Sequence, residues 1–283
     1  MQNTGHYPEK DDIMCTVLKK ILRDGSCLEI HKFIFPGCSD VPDWGLPFFQ
    51  MDLPECWRLY YDEVFNDSVD DIVNYCYAGI IGGVPCCRMW FGFSRKTGAG
   101  NFGNVVTLPE FRRRGIMMEL LNELCRDFEE SGAFFCSCDA ATAAAGAYEK
   151  AGFCRIFGEE YPPMALVRSG SGSFSSIIAA AYGNTGNAKI RPGVRSDRFD
   201  CDKLLMYAPQ VYRKISLPQD VPSYLSLWQE YVRRGRAEVR VLEAESGFCA
   251  GFAFKLEDGR SGCVLHPGFK SYEAQLLKEV SGS

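Results

Sequence analysis

The stretch of the sequence best suited to binding an anion is Asn104–Gly115, which runs NVVTLPEFRRRG. An extended run leads into Pro109, three consecutive arginines follow, and a glycine precedes a long amphipathic segment. Because a helix N-terminus carries about half a positive charge, cationic side chains there are unfavourable by a few tenths of a kcal/mol each. Arg112, Arg113 and Arg114 make sense if the first-turn amides bind phosphate oxygens. Three solvated arginines on a turn are the alternative.

The elements around these arginines follow from the hydrophobic periodicity. Glycine-containing hairpin turns separate three extended runs, at 77–82, 84–95 and 101–108. Downstream, the patterns predict a long helix at 113–131, a buried strand at 133–138, an alanine-rich helix at 140–151 and a strand pair at 153–168. Upstream, they predict a short amphipathic helix at 8–24, a strand at 27–35, an ordered loop at 36–50 and one or two helices at 54–76.

A second glycine-rich segment, Gly98–Gly103, satisfies the pattern G-x-G-x-x-G. The dinucleotide-binding fingerprint requires a helix directly after such a segment. A strand pattern follows here, so we expect a glycine-rich hairpin rather than a nucleotide site.

The order of these elements, the loop Arg112–Met117 (RRRGIM) and the segment Tyr148–Phe153 (YEKAGF) together resemble the GCN5-related N-acetyltransferase (GNAT) superfamily. The resemblance covers about residues 25–168. In that family a Gln/Arg-x-x-Gly-x-Gly/Ala loop binds the pyrophosphate of acetyl-CoA. The resemblance implies an α/β (α+β) fold with a mixed, mostly antiparallel twisted sheet and flanking helices, the acyl-CoA N-acyltransferase fold.

The resemblance also implies roles for individual residues. The strand before the loop would pair its backbone with the pantetheine arm of acetyl-CoA, the co-substrate, and an N–H near Val106 to Leu108 would stabilise the developing oxyanion. Tyr148 would protonate the leaving thiolate; a packed helix aromatic is the alternative. The implied cofactor-binding residues are Val105, Val106, Thr107, Arg112, Arg113, Arg114, Gly115, Ile116, Met117, Met118 and Tyr148.

Three positions depart from the family pattern. Met117 replaces the last small residue of the loop, and Ala141 stands where asparagine is often found. Cys136 occupies the position where some relatives carry a carboxylate base. This last departure leaves the general base open without disturbing the cofactor assignment.

Carboxylates are the candidates for handling the amine proton. Asp139, which ends the predicted fifth strand of the family fold, is the nearest by sequence, and capping of the next helix is its alternative role. Asp62 and Glu63 could orient an amine, whereas Glu110 is expected to face solvent. An aromatic acceptor pocket or ordinary core could be built from Trp44, Phe48, Phe49, Trp57, Tyr60 and Tyr61.

The resemblance implies transfer of an acetyl group to a primary amine of a small molecule or peptide, by direct attack in a ternary complex. A non-catalytic acyl-CoA-binding or sensing module is the alternative. Aminoacyl transfer from tRNA is disfavoured by the acidic balance and by the intact loop.

Length and composition set the broader limits. The 283 residues favour two domains, and 46% hydrophobic with 24% charged residues is ordinary globular usage. We expect a donor-binding domain at 1–168, a Ser/Gly/Ala-rich linker at 169–194 and a smaller α+β domain at 195–283. The net charge of −5 provides no overall basic field for nucleic acid.

Cysteine and histidine usage argues against disulfides and metal. Several of the fourteen cysteines lie in apolar, strand-like runs, so we expect reduced thiols. With no Cys-x-x-Cys pair and only three histidines, no metal site is predicted. A polar N-terminus and the lack of a long apolar run favour a cytoplasmic protein without a membrane partner, and a homodimer is compatible with the sequence.

The segment 247–277 looks like a faded copy of 89–121. Pro267, Phe269 and Lys270 fall where Pro109, Phe111 and Arg112 stand, but the Arg-Arg-Gly corner is missing. We therefore expect a degenerate acetyltransferase-like domain without its own CoA site; an unrelated small α+β domain is the alternative.

Overall fold

The computed structural model describes residues 15–66, 71–157, 163–204 and 221–281. These divide into two compact units, each with its own sheet. The N-terminal unit comprises the described residues up to 54 and from 61 to 170, and the C-terminal unit comprises 55–60 and those from 171 onward. The predicted division at 1–168, 169–194 and 195–283 stays a prediction.

An eight-stranded sheet forms the centre of the N-terminal unit, in the order β1-β2-β3-β4-β5-β6-β8-β7. All neighbouring strands are antiparallel except β5 and β6, which are parallel. The strands are β1 Cys15–Ile21, β2 Cys27–Phe35, β3 Ile72–Ile81, β4 Val84–Ser94, β5 Ala99–Thr107, β6 Phe135–Asp139, β7 Cys154–Arg155 and β8 Pro163–Val167. This mixed, mostly antiparallel sheet with flanking helices confirms the predicted fold class.

Helices cover both faces of this sheet. The hydroxyl of Tyr77 on β3 donates to Asp127 of α3, whereas Arg88 on β4 donates to the carbonyl of Phe48 in α1. Tyr77 stands opposite Met89, the neighbour of Arg88, so the two helices lie on opposite faces. The helices are α1 Gly45–Gln50, α2 Glu55–Asn66, α3 Ile116–Glu130 and α4 Thr142–Lys150.

The long helix α3 provides much of the core. Its apolar stripe, Ile116, Leu120, Leu121, Leu124 and Phe128, is buried. Burying a side chain of this size contributes about 1.5–3 kcal/mol.

Two acidic residues of α3, Glu123 and Asp127, are also buried. Asp127 accepts from Lys32 and Tyr77, and Glu123 pairs with Lys20 and Arg126. Polar partners therefore compensate for the burial of these carboxylates.

Upstream of β3 the structure corrects three predictions. Residues 15–21 of the predicted helix at 8–24 form the edge strand β1, and 8–14 lie outside the described residues. The loop predicted at 36–50 contains α1, and the helices predicted at 54–76 end at Asn66, before β3 begins at Ile72. The helix prediction was wrong because Val17, Leu18 and Ile21 fit a helical spacing as well as a strand.

The expectation that all cysteines are reduced thiols is wrong for one pair. Cys15 and Cys38 form a disulfide with 5.5 Å between their Cα atoms, within the usual range. The pair meets because Cys15 stands beside Phe33 of β2, and the chain turns back directly after that strand. The other cysteines are free, and many are buried.

The C-terminal unit contains a four-stranded antiparallel sheet, in the order β12-β11-β10-β9. Its strands are β9 Ala188–Pro192, β10 Ala237–Ala244, β11 Cys249–Leu256 and β12 Ser261–Leu265. Its α-helices are α5 Phe174–Tyr182, α6 Arg198–Cys201, α7 Tyr224–Ser226 and α8 Glu273–Ser281, with a 3-10 segment at Pro267–Tyr272. The stretch 169–194 is thus not a bare linker: it contains α5, which starts with a capping box at Ser173, and β9.

The two units share an order of elements. In the N-terminal unit β4, β5, the 3-10 turn Pro109–Phe111 and α3 follow one another. In the C-terminal unit β11, β12, the 3-10 segment at Pro267 and α8 do the same. Descent of the second unit from an acetyltransferase-like domain remains a prediction, now with this matching order in its support.

Candidate active site

A cleft opens where β5 leaves β6. The two parallel strands pair only over Ala99–Asn101 and Phe135–Ser137, although β5 continues to Thr107. The cleft has a volume of about 690 Å³. Its lining residues are Val105, Val106, Thr107, Phe111, Arg112, Arg113, Gly115, Ile116, Met117, Met118, Ala141, Ala143, Ala144 and Tyr148. The structure therefore gathers all but one of the predicted cofactor-binding residues around one cavity.

The backbone of β5 presents polar groups to this cleft. The Leu108 N–H donates to the carbonyl of Cys86 at 2.9 Å, so this pair is hydrogen-bonded. Since such pairs alternate along an antiparallel ladder, Val106 bonds to β4 and Thr107 turns its backbone away from β4. The carbonyl of Thr107 accepts from Arg112 Nε at 3.0 Å, which agrees with this orientation. The Leu108 N–H is thus already bonded within the sheet, while the Thr107 N–H is directed away from β4.

The corner between β5 and α3 exposes a run of amides. Gly115 precedes the helix with a left-handed φ of 81°, and no side chain caps α3. Arg113 also has a positive φ, 64°. Among the described residues, no backbone carbonyl accepts from the N–H groups of residues 113–117. Unsatisfied amides at the positive end of a helix dipole form a site for an anion.

The three arginines have different positions at this corner. Arg112 and Arg113 line the cleft. Arg114 does not: its Nε donates to Asp24 at 2.7 Å and its Nη2 to the Ser26 hydroxyl at 2.8 Å. Hydrogen bonds from Ser26, together with Arg114, lower the pKa of Asp24 to about 2. Arg114 therefore already has a partner for its charge, and its predicted contact with the anion stays a prediction.

Tyr148 of α4 is one of the residues that line the cleft. Its ring is 6% exposed and packs against Phe102 and Phe153, with centroids 5.1 Å and 5.6 Å away. Among the described residues, no group hydrogen-bonds its hydroxyl. Burial raises the pKa of Tyr148 above its ordinary value, so the hydroxyl stays protonated at neutral pH.

The general base predicted from the sequence is not found at the cleft. Asp139 is exposed at the end of β6 and is not a lining residue. The N-cap of α4 is Ala141, which has no side-chain hydrogen bond. Cys136 cannot replace it, since burial raises the pKa of its thiol. Glu110 is exposed, as predicted.

The remaining acceptor candidates are not among the residues that line the cleft. Asp62 accepts from Gln50 at 2.9 Å, and Glu63 is buried. The predicted aromatic group is mainly core: Phe49 packs on Tyr61 with 5.7 Å between centroids, and Trp57 meets Tyr60 edge to face. The buried members are Phe48, Phe49, Tyr60 and Tyr61, and the half-buried ones are Trp44 and Trp57.

A buried arginine that the sequence analysis did not select joins β4 to the end of α1. Arg88 is 1% exposed and donates to the carbonyls of Phe48 and Met51 and to the side chain of Asn104. The only sequence signal was a charged residue inside the apolar run at 84–95.

Within the described ranges no group of three or more His, Cys, Asp or Glu side chains could hold a metal ion. In the same part of the chain, no helix is both long and apolar enough to cross a membrane.

Comparison with protein families finds that residues 40–153 match the acetyltransferase (GNAT) family. The comparison with curated proteins found no match.

Solved structures similar to this chain are distant in sequence. Tetrahymena GCN5 is 13% identical, with a TM-score of 0.35 and coverage of 47% of this chain and 93% of that one. The ribosomal-protein-S18-alanine N-acetyltransferase from Escherichia coli is 18% identical, with a TM-score of 0.34 and coverage of 50% and 97%. A putative acetyltransferase from Pyrococcus horikoshii is 14% identical, with a TM-score of 0.38 and coverage of 98% and 78%.

Proposed function

We propose that this chain, whose residues 40–153 belong to the acetyltransferase (GNAT) family, is an N-acetyltransferase that uses acetyl-CoA. The acceptor is a primary amine of a small molecule or peptide, and both substrates are bound when the acetyl group moves. Alignment of two bound reactants supplies much of the rate of such a reaction.

The observation that carries this proposal is the uncapped corner beside the cleft. The amides of residues 113–117 have no backbone acceptor among the described residues, and Arg112 and Arg113 stand next to them. A diphosphate supplies the oxygens that these amides lack and the negative charge that the two guanidiniums attract. The pantetheine arm then extends along β5 toward Tyr148.

Two groups of the chain act on the reacting atoms. The Thr107 N–H donates to the thioester oxygen as negative charge develops there. As the amine nitrogen bonds to the acetyl carbon and the carbon–sulfur bond breaks, Tyr148 gives its proton to the departing sulfur. The Tyr148 hydroxyl carries its proton at neutral pH, and burial raises its pKa further above that range.

The amine must lose a proton during the transfer. None of the described residues that line the cleft carries a carboxylate, so we propose that water receives this proton. Asp139, exposed at the end of β6, is the proposed final acceptor.

The same observation supports a second candidate, a non-catalytic acyl-CoA-binding or sensing module. A panel of polyamines, amino acids, aminoglycosides and peptides, each incubated with acetyl-CoA, separates the two. Release of free CoA that depends on one amine and on Tyr148 supports the acetyltransferase. Tight acetyl-CoA binding with no release for any amine would favour the binding module instead.

A further inference from the structure

The strand β5 contains a bulge beside the cleft. Gly103 stands opposite Trp90, and Val106 stands opposite Arg88. Two residues of β5, Asn104 and Val105, therefore lie opposite the single residue Met89 of β4. Asn104 accommodates the extra residue with a left-handed φ of 53°. Asparagine adopts this conformation more readily than most side chains.

The bulge determines which amides face the cleft. With a continuous register from Gly103, Thr107 would stand opposite Cys86, the residue whose carbonyl now accepts from Leu108. The backbone N–H and carbonyl of Thr107 would then bond to β4, and those of Val106 and Leu108 would face the cleft. Since a one-residue shift exchanges the two sides of a strand, the bulge turns Thr107 toward the cleft.

Four hydrogen bonds hold the bulge to the end of α1. Asn104 Nδ2 donates to the Phe49 carbonyl at 3.0 Å, and Asn104 Oδ1 accepts from Arg88 Nε at 2.8 Å. The other arginine nitrogens donate to the Phe48 carbonyl at 2.6 Å and the Met51 carbonyl at 2.7 Å. Each nitrogen of the buried Arg88 guanidinium thus donates to an oxygen, and two of these oxygens lie at the negative, C-terminal end of α1.

We propose that Asn104 and Arg88 are positioning residues for acetyl transfer: together they fix the bulge that presents the Thr107 N–H to the thioester. This inference rests on the proposed function. The four hydrogen bonds also join β5, along which the donor binds, to α1. The position of the Thr107 amide therefore depends on contacts made on the opposite face of the sheet.

The test replaces Asn104 by glycine, which tolerates a positive φ but removes both side-chain hydrogen bonds. The matched variant is Asn104→Asp, which keeps an oxygen for Arg88 but replaces the amide that donates to the Phe49 carbonyl by a second, charged oxygen. Acetyl-CoA affinity is measured by calorimetry, turnover by CoA release with the best amine of the panel, and protection of the Thr107 amide by hydrogen exchange with acetyl-CoA bound.

We expect Asn104→Gly to bind acetyl-CoA within about threefold of the unaltered chain, to lose at least about tenfold in kcat, and to lose protection at Thr107. Asn104→Asp should recover most of the kcat and most of the protection at Thr107. If Asn104→Gly does not fold, Arg88→Lys, which keeps the charge but not the three-way fork, should give the same separation of kcat from affinity.

An unchanged kcat and unchanged Thr107 protection in a folded Asn104→Gly variant would overturn the positioning role while leaving the proposed function standing. A parallel loss of affinity and turnover in both glycine and aspartate variants would also overturn it, because it would indicate general disruption. If the unaltered chain shows no acetyl-CoA binding, the proposed function fails first, and this result is distinct from either outcome.

Discussion

Tyr148 meets Phe102 edge to face, with 5.1 Å between the ring centroids, and is one of the residues that line the cleft. The ring is therefore held by packing, and the hydroxyl is the group to which we assign the chemistry. This arrangement separates the structural contribution of the side chain from its proposed catalytic one.

The first prediction concerns that hydroxyl. Tyr148→Phe keeps the packed ring, so the free energy of unfolding and acetyl-CoA affinity should change little, while kcat falls at least about tenfold. Thermal unfolding, calorimetry and CoA release measure the three quantities. Unchanged turnover with a suitable amine would remove Tyr148 from the proposed mechanism.

The second prediction distinguishes the arginines. Arg113→Gln removes a charge beside the uncapped amides, so Kd for acetyl-CoA should rise by about 5–30-fold, and binding should lose part of its salt dependence. Arg114→Gln is the matched control, because its charge is paired with Asp24. An equal loss of acetyl-CoA affinity from the two substitutions would contradict the placement of the arginines.

The third prediction concerns the glycine before α3. A Cβ at Gly115 would meet no atom within 4 Å, but its φ of 81° is unfavourable for other side chains. Gly115→Ala should therefore cost about 1–2 kcal/mol and weaken acetyl-CoA binding as the corner shifts.

Gly146→Ala is the control for the glycine substitution. Gly146 lies inside α4 with equally open space at its Cβ position, and it is not among the left-handed glycines. This change should stabilise the chain by about 0.5–1 kcal/mol and leave binding unchanged. Stronger binding by Gly115→Ala would be incompatible with the proposed corner.

The fourth prediction concerns pH and the C-terminal unit. Burial raises the pKa of Asp200 to about 7, and no described residue donates to its Oδ1. Asp197 also raises this pKa, while the Cys249 amide and Arg191 lower it. Because the folded state holds the proton more tightly, this stabilisation is complete below about pH 4 and is lost as pH rises through 7.

Asp200→Asn tests this assignment, since the amide supplies a neutral group of the same shape. Between pH 5 and 8 the free energy of unfolding of the unaltered chain should fall relative to that of Asp200→Asn, by a few kcal/mol at most. Parallel pH profiles for the two proteins would show that Asp200 does not titrate in this range.

The sequence was informative where local patterns determine structure. Alternation and turn glycines located β4, β5 and the second half of β3, and periodicity located α3. The corner at Arg112–Gly115 was found because three cations at a helix start oppose the helix dipole.

Long-range partners account for what the sequence could not predict. Arg114 turns away from the cleft because Asp24, ninety residues earlier in the chain, pairs with it. The disulfide of Cys15 with Cys38 depends on the pairing of β1 with β2. The roles of Arg88 and Asn104 depend on a bulge and on α1, and no local pattern encodes their meeting.

The C-terminal unit bears on how many donors bind. The 3-10 segment that corresponds to Pro109–Phe111 follows His266, whose Nδ1 accepts from the Gly268 N–H at 3.2 Å, whereas Leu108 provides no such cap. Since the sequence of the C-terminal segment also lacks the Arg-Arg-Gly corner, we expect a single donor site, at the arginine corner of the N-terminal unit.

The most direct measurement is calorimetric titration of the full chain with acetyl-CoA. We predict saturable binding of one molecule per chain that weakens at higher salt and is reduced by Arg113→Gln but not by Gly146→Ala. No binding at millimolar acetyl-CoA, or binding that is indifferent to Arg113, would contradict the assignment of the corner between β5 and α3 as a diphosphate site.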